Sequence, residues 1–234
     1  MFLFSFLTLH LNAKDFESPF PPTAPGIQIP NAHVLKENKL MRGMDPSRWI
    51  EDLKTANINQ ILIFKNNSRH SVTKEIKVLK KAGYKMNQIH HIPFLWKDMG
   101  GFKKTCLQTI EALQKIKNVM NTPNQNLYFH CTMGEDRTGY LAGLYRILND
   151  HWTVSQAFQR EMCERGYAGG NPYKPMERVT LPLRKELTVH FVQMLKLIRS
   201  KKLRWERLDP RICEHEPQVT RNEVESYFCE PQPL

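Results

Sequence analysis

Short apolar runs alternate with amphipathic stretches along most of this chain. Residues 58–64 (INQILIF) are almost continuously apolar, which predicts a strand buried on both faces. A second strand is expected over 86–92 (MNQIHHI), ending at Pro93, and a third over 127–130 (LYFH), after a turn at 123–126 (PNQN). Between them the apolar period becomes helical. Residues 73–82 place Ile76, Val78, Leu79 and Ala82 on one face, with Gly83 as the stop. Residues 103–121 do the same with Leu107, Ile110, Leu113, Ile116, Val119 and Met120. Helices are also expected over 46–56, with Asp45 as N-cap and Pro46 in the first turn, and over 137–149, 153–166 and 183–202. The segment 166–173 (GYAGGNPY) is a loop. Strands alternating with helices predict an α/β domain, with a central, mostly parallel sheet flanked by helices.

The ends of the chain are less regular. Residues 18–30 carry five prolines and read as an irregular lead-in, and the chain after Arg204 has little periodicity. This divides the chain into an arm and lead-in (1–30), a domain (31–203) and an extension (204–234). The first nine residues (MFLFSFLTL), followed by Ala13, resemble a short signal peptide. They lack the usual basic start, however, and Leu11 is bulky for a cleavage site at Ala13. Export and a cytoplasmic location with an apolar arm both stay open. No uninterrupted apolar run approaches the roughly 20 residues of a membrane span.

Charge narrows the partners. The chain has 34 Lys and Arg against 23 Asp and Glu, a formal +11. The extension holds four of those cations and seven of the acids, which leaves residues 1–203 at +14. Such a surface attracts anions. Five cysteines, an odd and scattered set, do not read as a disulfide framework, although a Cys213–Cys229 pair is conceivable in an exported protein. Cys213, His215 and Cys229 lack the paired spacing of a zinc site, so neither metal nor cofactor is expected.

Chemistry concentrates in residues 130–139, HCTMGEDRTG. A strand delivers Cys131, five residues form a loop, and Arg137 opens a helix. A cysteine works as a nucleophile only as thiolate, and a helix N-terminus ringed by backbone N–H groups favours that form. The loop 132–137 (Thr132, Met133, Gly134, Glu135, Asp136, Arg137) can curl its N–H groups around a tetrahedral anion. Gly134 permits the turn, and Arg137 can hold two phosphate oxygens at once. Thr138 lies within reach of the sulfur, and His130 is placed to support the loop from behind.

The pattern His130-Cys131-x-x-Gly134-x-x-Arg137-Thr138 resembles the signature of the cysteine-based protein tyrosine phosphatase superfamily. That superfamily includes dual-specificity phosphatases and the bacterial phosphatase-like inositol polyphosphate phosphatases (phytases). Residues 41–47 (MRGMDPS) look like the element that opens the core of its small dual-specificity-like members, and the similarity extends over about residues 31–200. The resemblance implies a phosphocysteine intermediate and a general acid on a mobile loop about 30 residues before the cysteine. Asp98, followed by Gly100 and Gly101, occupies that place. Asp136, directly before the arginine, is a possible helper, and Glu135 is expected to face solvent.

The same resemblance implies that the chain is a phosphoric monoester hydrolase. An inositol polyphosphate or similar polyanion is its expected partner, with Arg42, Lys97 and Lys103 among the substrate contacts. A phosphoprotein substrate is the alternative. A third reading, a phosphate- or RNA-holding pseudo-enzyme, lacks the interleaved aromatics that single-stranded RNA demands, and no nucleic-acid partner is expected. Oligomeric state stays open.

Overall fold

The computed structural model describes residues 18–95 and 100–233. The apolar arm (1–17), Lys97 and Asp98 lie outside the described residues. Five strands form one sheet in the order β1-β2-β5-β3-β4: β1 His33–Lys36, β2 Leu40–Gly43, β3 Gln60–Phe64, β4 Ile89–Ile92 and β5 Leu127–His130. Only β1 runs antiparallel, joined to β2 by a tight turn with Asn38 at φ 53°. The other four are parallel, so their C-terminal ends lie along one edge, where Gly43 pairs with His130 and Phe64 with Ile92. In an open parallel sheet this edge is where ligands bind.

Alternation along the strands splits the core in two. Leu40, Leu62, Phe64, Ile92, Leu127 and Phe129 face α3 (Phe102–Asn121), α4 (Asp136–Asn149) and α7 (Leu187–Arg199). Met41, Ile61, Ile63, Ile89 and Tyr128 face α1 (Ile50–Thr55) and α2 (Ser71–Lys81). Helix α4 is buried along most of its length, as a helix laid across the centre of a sheet must be. At Gly139 a Cβ would come within 2.9 Å of the Glu161 carbonyl, so glycine lets the next segment pack directly on α4.

Several expected boundaries move. The first helix begins at Ile50, not at Pro46, because Asp45 accepts from the Ser47 N–H (3.0 Å) and gives its own N–H to Thr132 O (3.1 Å). The second strand begins at Ile89, since Met86–Gln88 forms a 3-10 turn. The helix expected over 153–166 starts as α5 (Val154–Ala157), passes through a π-helical turn at Phe158–Met162, and stops at Gly166 (φ 86°). The helix expected over 183–202 is broken at Glu186, between α6 (Leu181–Lys185) and α7.

The extension is packed against the rest of the chain. Lys117 donates to the carbonyls of Trp205 (2.7 Å) and Glu206 (2.8 Å), and Gln114 to that of Leu208 (2.8 Å). A last short helix, α8 (Arg221–Glu225), sits against α7. Two disulfides, Cys106–Cys213 and Cys163–Cys229, fasten it. This corrects both the cysteine reading and the Cys213–Cys229 pairing: each tail cysteine reaches back to a partner in the domain.

Candidate active site

Strand β5 ends at His130, in the middle of the sheet, and α4 begins at Asp136, so the loop between them sits at the edge where the parallel strands finish. Among the described residues Cys131 is the one cysteine outside a disulfide, and it is buried. Burial pushes its thiol up. The Arg137 charge together with the hydroxyl and N–H of Thr138 outweighs that effect and brings it below the ordinary thiol value. Among the described residues the Thr138 hydroxyl has no other partner that would draw it from the sulfur.

Arg137 is held by its tips. One terminal nitrogen donates to Asn66 Oδ1 (3.2 Å) and Phe94 O (3.3 Å), the other to Thr132 Oγ1 (3.3 Å). Its Nε–H is buried and, among the described residues, has no acceptor. A buried, unsatisfied cationic donor next to a thiolate is costly unless something anionic completes it. Gly134 (φ 72°) carries the turn, and a Cβ there would lie 2.4 Å from the Gly43 carbonyl carbon. The loop is pressed directly on the end of β2.

Buried ions stand behind the loop. His130 directs Nδ1 at the Cys131 carbonyl (2.8 Å) and Nε2 at Glu75 (2.8 Å). The carboxylate beside Nε2 favours the charged form of the ring. Burial alone would lower its pKa, but Glu75 raises it past the ordinary value. Glu75 also meets Lys65 (2.8 Å), and Lys65 meets Asp45 (2.5 Å), whose pKa falls to about 2 because the Lys65 charge overcomes burial. On the other side Arg42 is fully buried. It donates to the Gly134 carbonyl and to Glu161, whose carboxylate also binds His33 (2.9 Å) and Arg146 (2.7 Å).

Three expectations change here. Arg42 is fully buried and its two terminal nitrogens are engaged by Glu161 and the Gly134 carbonyl, so it supports the loop from within instead of offering an exposed substrate contact. Lys103 is exposed and paired with Glu214 (2.7 Å), its charge engaged with the extension. Glu135 does not face solvent. Its side chain is fully buried, accepting from Ser18 (2.7 Å) and Asn171 (3.1 Å) and paired with Lys174 (2.8 Å). Asp136 is bound by Lys174 (2.5 Å) and by the Ala168 N–H (3.0 Å). Sequence reasoning missed Glu75, Glu161 and Asn66. Glu75 did leave a signal, an acid on the helix face shared with Val72 and Leu79.

The fold is a protein tyrosine phosphatase-like one. Among solved structures, a mutant form of Tk-PTP matches with a TM-score of 0.50 at 13% identity, over 72% of this chain and 97% of that one. TpbA of P. aeruginosa matches with 0.47 at 15% identity, over 70% and 94%. The core catalytic domain of the S. cerevisiae PP-IP phosphatase SIW14 matches with 0.46 at 20%, over 78% and 94%. At these identities the likeness is one of fold. No family model and no curated protein matches the sequence.

Proposed function

We propose that the chain is a cysteine-dependent phosphoric monoester hydrolase. The observation that carries this reading is the pairing of a buried free Cys131, its thiol lowered, with a buried Arg137 whose Nε–H lacks an acceptor among the described residues. The sulfur attacks phosphorus as the loop N–H groups and Arg137 hold the equatorial oxygens. The ester P–O bond breaks, and the leaving oxygen takes a proton from a carboxylic acid. Water then cleaves the phosphocysteine, and Thr138 supports the departing thiolate. Asp98 is the proposed acid. Asp136 is the weaker candidate, because Lys174 and the Ala168 N–H hold its carboxylate. A phosphate-holding pseudo-enzyme would have no use for a lowered thiol.

An inositol polyphosphate or similar polyanion is the proposed substrate, supported by the +14 of residues 1–203. Exposed cations include Arg69, three residues beyond Asn66, and Lys104. Phosphoprotein is the second reading, favoured by the exposed Tyr173 and Met176 next to Lys174. Phosphate release from inositol hexakisphosphate beside a phosphotyrosine peptide tests the choice, with faster release from the polyanion expected. Cys131→Ser should abolish turnover and keep phosphate binding; turnover by that variant would sink the mechanism. Asp98→Asn should slow alkyl phosphates far more than p-nitrophenyl phosphate, because nitrophenolate leaves without a proton. Equal losses on both would remove Asp98 from the role.

A further inference from the structure

Two carboxylates stand inside the loop that is to bind a phosphate dianion. Glu135 and Asp136 occupy consecutive positions at the start of α4, where the helix dipole and free N–H groups would otherwise serve the substrate. Left alone, they would repel an incoming anion and compete for its donors. The structure sets both aside through one residue, Lys174, on the segment after the 166–173 loop. Its side chain is 7% exposed. Its ammonium has three N–H donors and three acceptors: Glu135 Oε2 (2.8 Å), Asp136 Oδ1 (2.5 Å) and Gly166 O (2.6 Å). No donor is left for substrate, so Lys174 is not a phosphate contact. The remaining partners of the two acids lie outside the loop: Ser18 and Asn171 donate to Glu135, and the Ala168 N–H to Asp136.

We infer that Lys174 is a positioning residue that makes the loop an anion site, by neutralising Glu135 and Asp136 and drawing their carboxylates away from the bound phosphate. This rests on the phosphatase reading and deepens it. The loop's affinity for any oxyanion is set by a residue more than thirty positions downstream of Cys131, on a segment that contributes nothing to the chemistry itself.

The test measures tungstate and inorganic phosphate binding by calorimetry, on the full chain carrying Cys131→Ser so that turnover plays no part. Adding Lys174→Met should weaken both anions about tenfold or more, because the cation that offsets Glu135 and Asp136 is removed and their carboxyl groups are released toward the ligand. Adding Glu135→Gln and Asp136→Asn to Lys174→Met removes those charges and should restore binding to within about threefold of the parent. That triple variant also contains no unpaired buried charge, so it reads out even where Lys174→Met alone fails to fold. Unchanged affinity in Lys174→Met would overturn the inference. So would a triple variant as weak as Lys174→Met, because Lys174 would then only shape the loop. If the parent binds neither anion, the phosphatase reading falls first and takes the inference with it.

Discussion

The two ends of the phosphate loop are supported by different means. Behind Cys131, support is ionic throughout and comes from the first part of the chain: His130, then Glu75 of α2, Lys65 at the end of β3, and Asp45 after β2. At Gly134 the support is Arg42, but Arg42 is fixed by Glu161, and Glu161 lies two residues before Cys163, which is bonded to Cys229 of the tail. One end therefore answers to pH and the other also to redox state. Two disulfides in one chain suit an oxidising compartment, and both close large loops, spanning 107 and 66 residues.

The largest effect should come from the disulfides, and they should differ from one another. By loop entropy, removing either one costs about 4 to 5 kcal/mol. Cys106→Ala/Cys213→Ala should lower the denaturation midpoint and leave kcat/KM unchanged, because Cys106 lies on α3, away from the loop's supports. Cys163→Ala/Cys229→Ala should lower both, since the π-helical turn that carries Glu161 loses its anchor. Urea unfolding and p-nitrophenyl phosphate kinetics on the two pairs decide it. Equal kcat/KM in both would dissolve the contrast between the ends.

Breaking the ions comes next. Glu161→Gln strips a charge partner from Arg42, Arg146 and His33, and should cost about 4 kcal/mol with a fall in kcat/KM. Glu75→Gln should cost about 3 kcal/mol, and it alone should also raise the pH at which Cys131 is alkylated by iodoacetamide, because His130 then loses its proton. An unchanged alkylation profile in Glu75→Gln would show that His130 supports the loop only mechanically.

Much of this arrangement could be read from sequence because it is local. Strand β5, the loop and α4 follow one another within twenty residues, each with its own period, cap or glycine, and the expected 127–130 strand matches the observed one. The supports could not be read, because each joins residues far apart in the chain: Arg42 with Glu161, His130 with Glu75, Glu135 with Ser18 and Lys174. Composition marks those residues as soluble surface, and only tertiary packing turns them inward. The broken helices have a similar cause. The apolar period of 153–166 is helical, but tight packing against Gly139 and the need to present Glu161 to Arg42 favour a π turn over a straight helix. Strands β1 and β2 escaped notice because four-residue strands carry too little alternation to stand out.

The smallest effect separates the ionic supports by pH, and its sign follows from the direction of each shift. Asp45 has its pKa lowered to about 2, so its contribution is present above the unfolded value near 3.8 and is lost as pH falls through about 2. That contribution is about 2 kcal/mol. His130 is raised, so its share is full below about 6.5 and is lost as pH rises through its folded value. Burial lowers His33 to about 4 and His190 to about 3, so both oppose folding as pH drops below 6.5, before Asp45 titrates. Acid unfolding should therefore have two stages, histidines first and Asp45 second. Subtracting the urea stability curve of Asp45→Asn from that of the unmodified protein isolates the second stage. The difference should hold constant from pH 6 to about 4 and shrink below it. A difference that stays level down to pH 2 would mean that Lys65 is balanced by Glu75 alone, and that Asp45 is no part of the support behind Cys131.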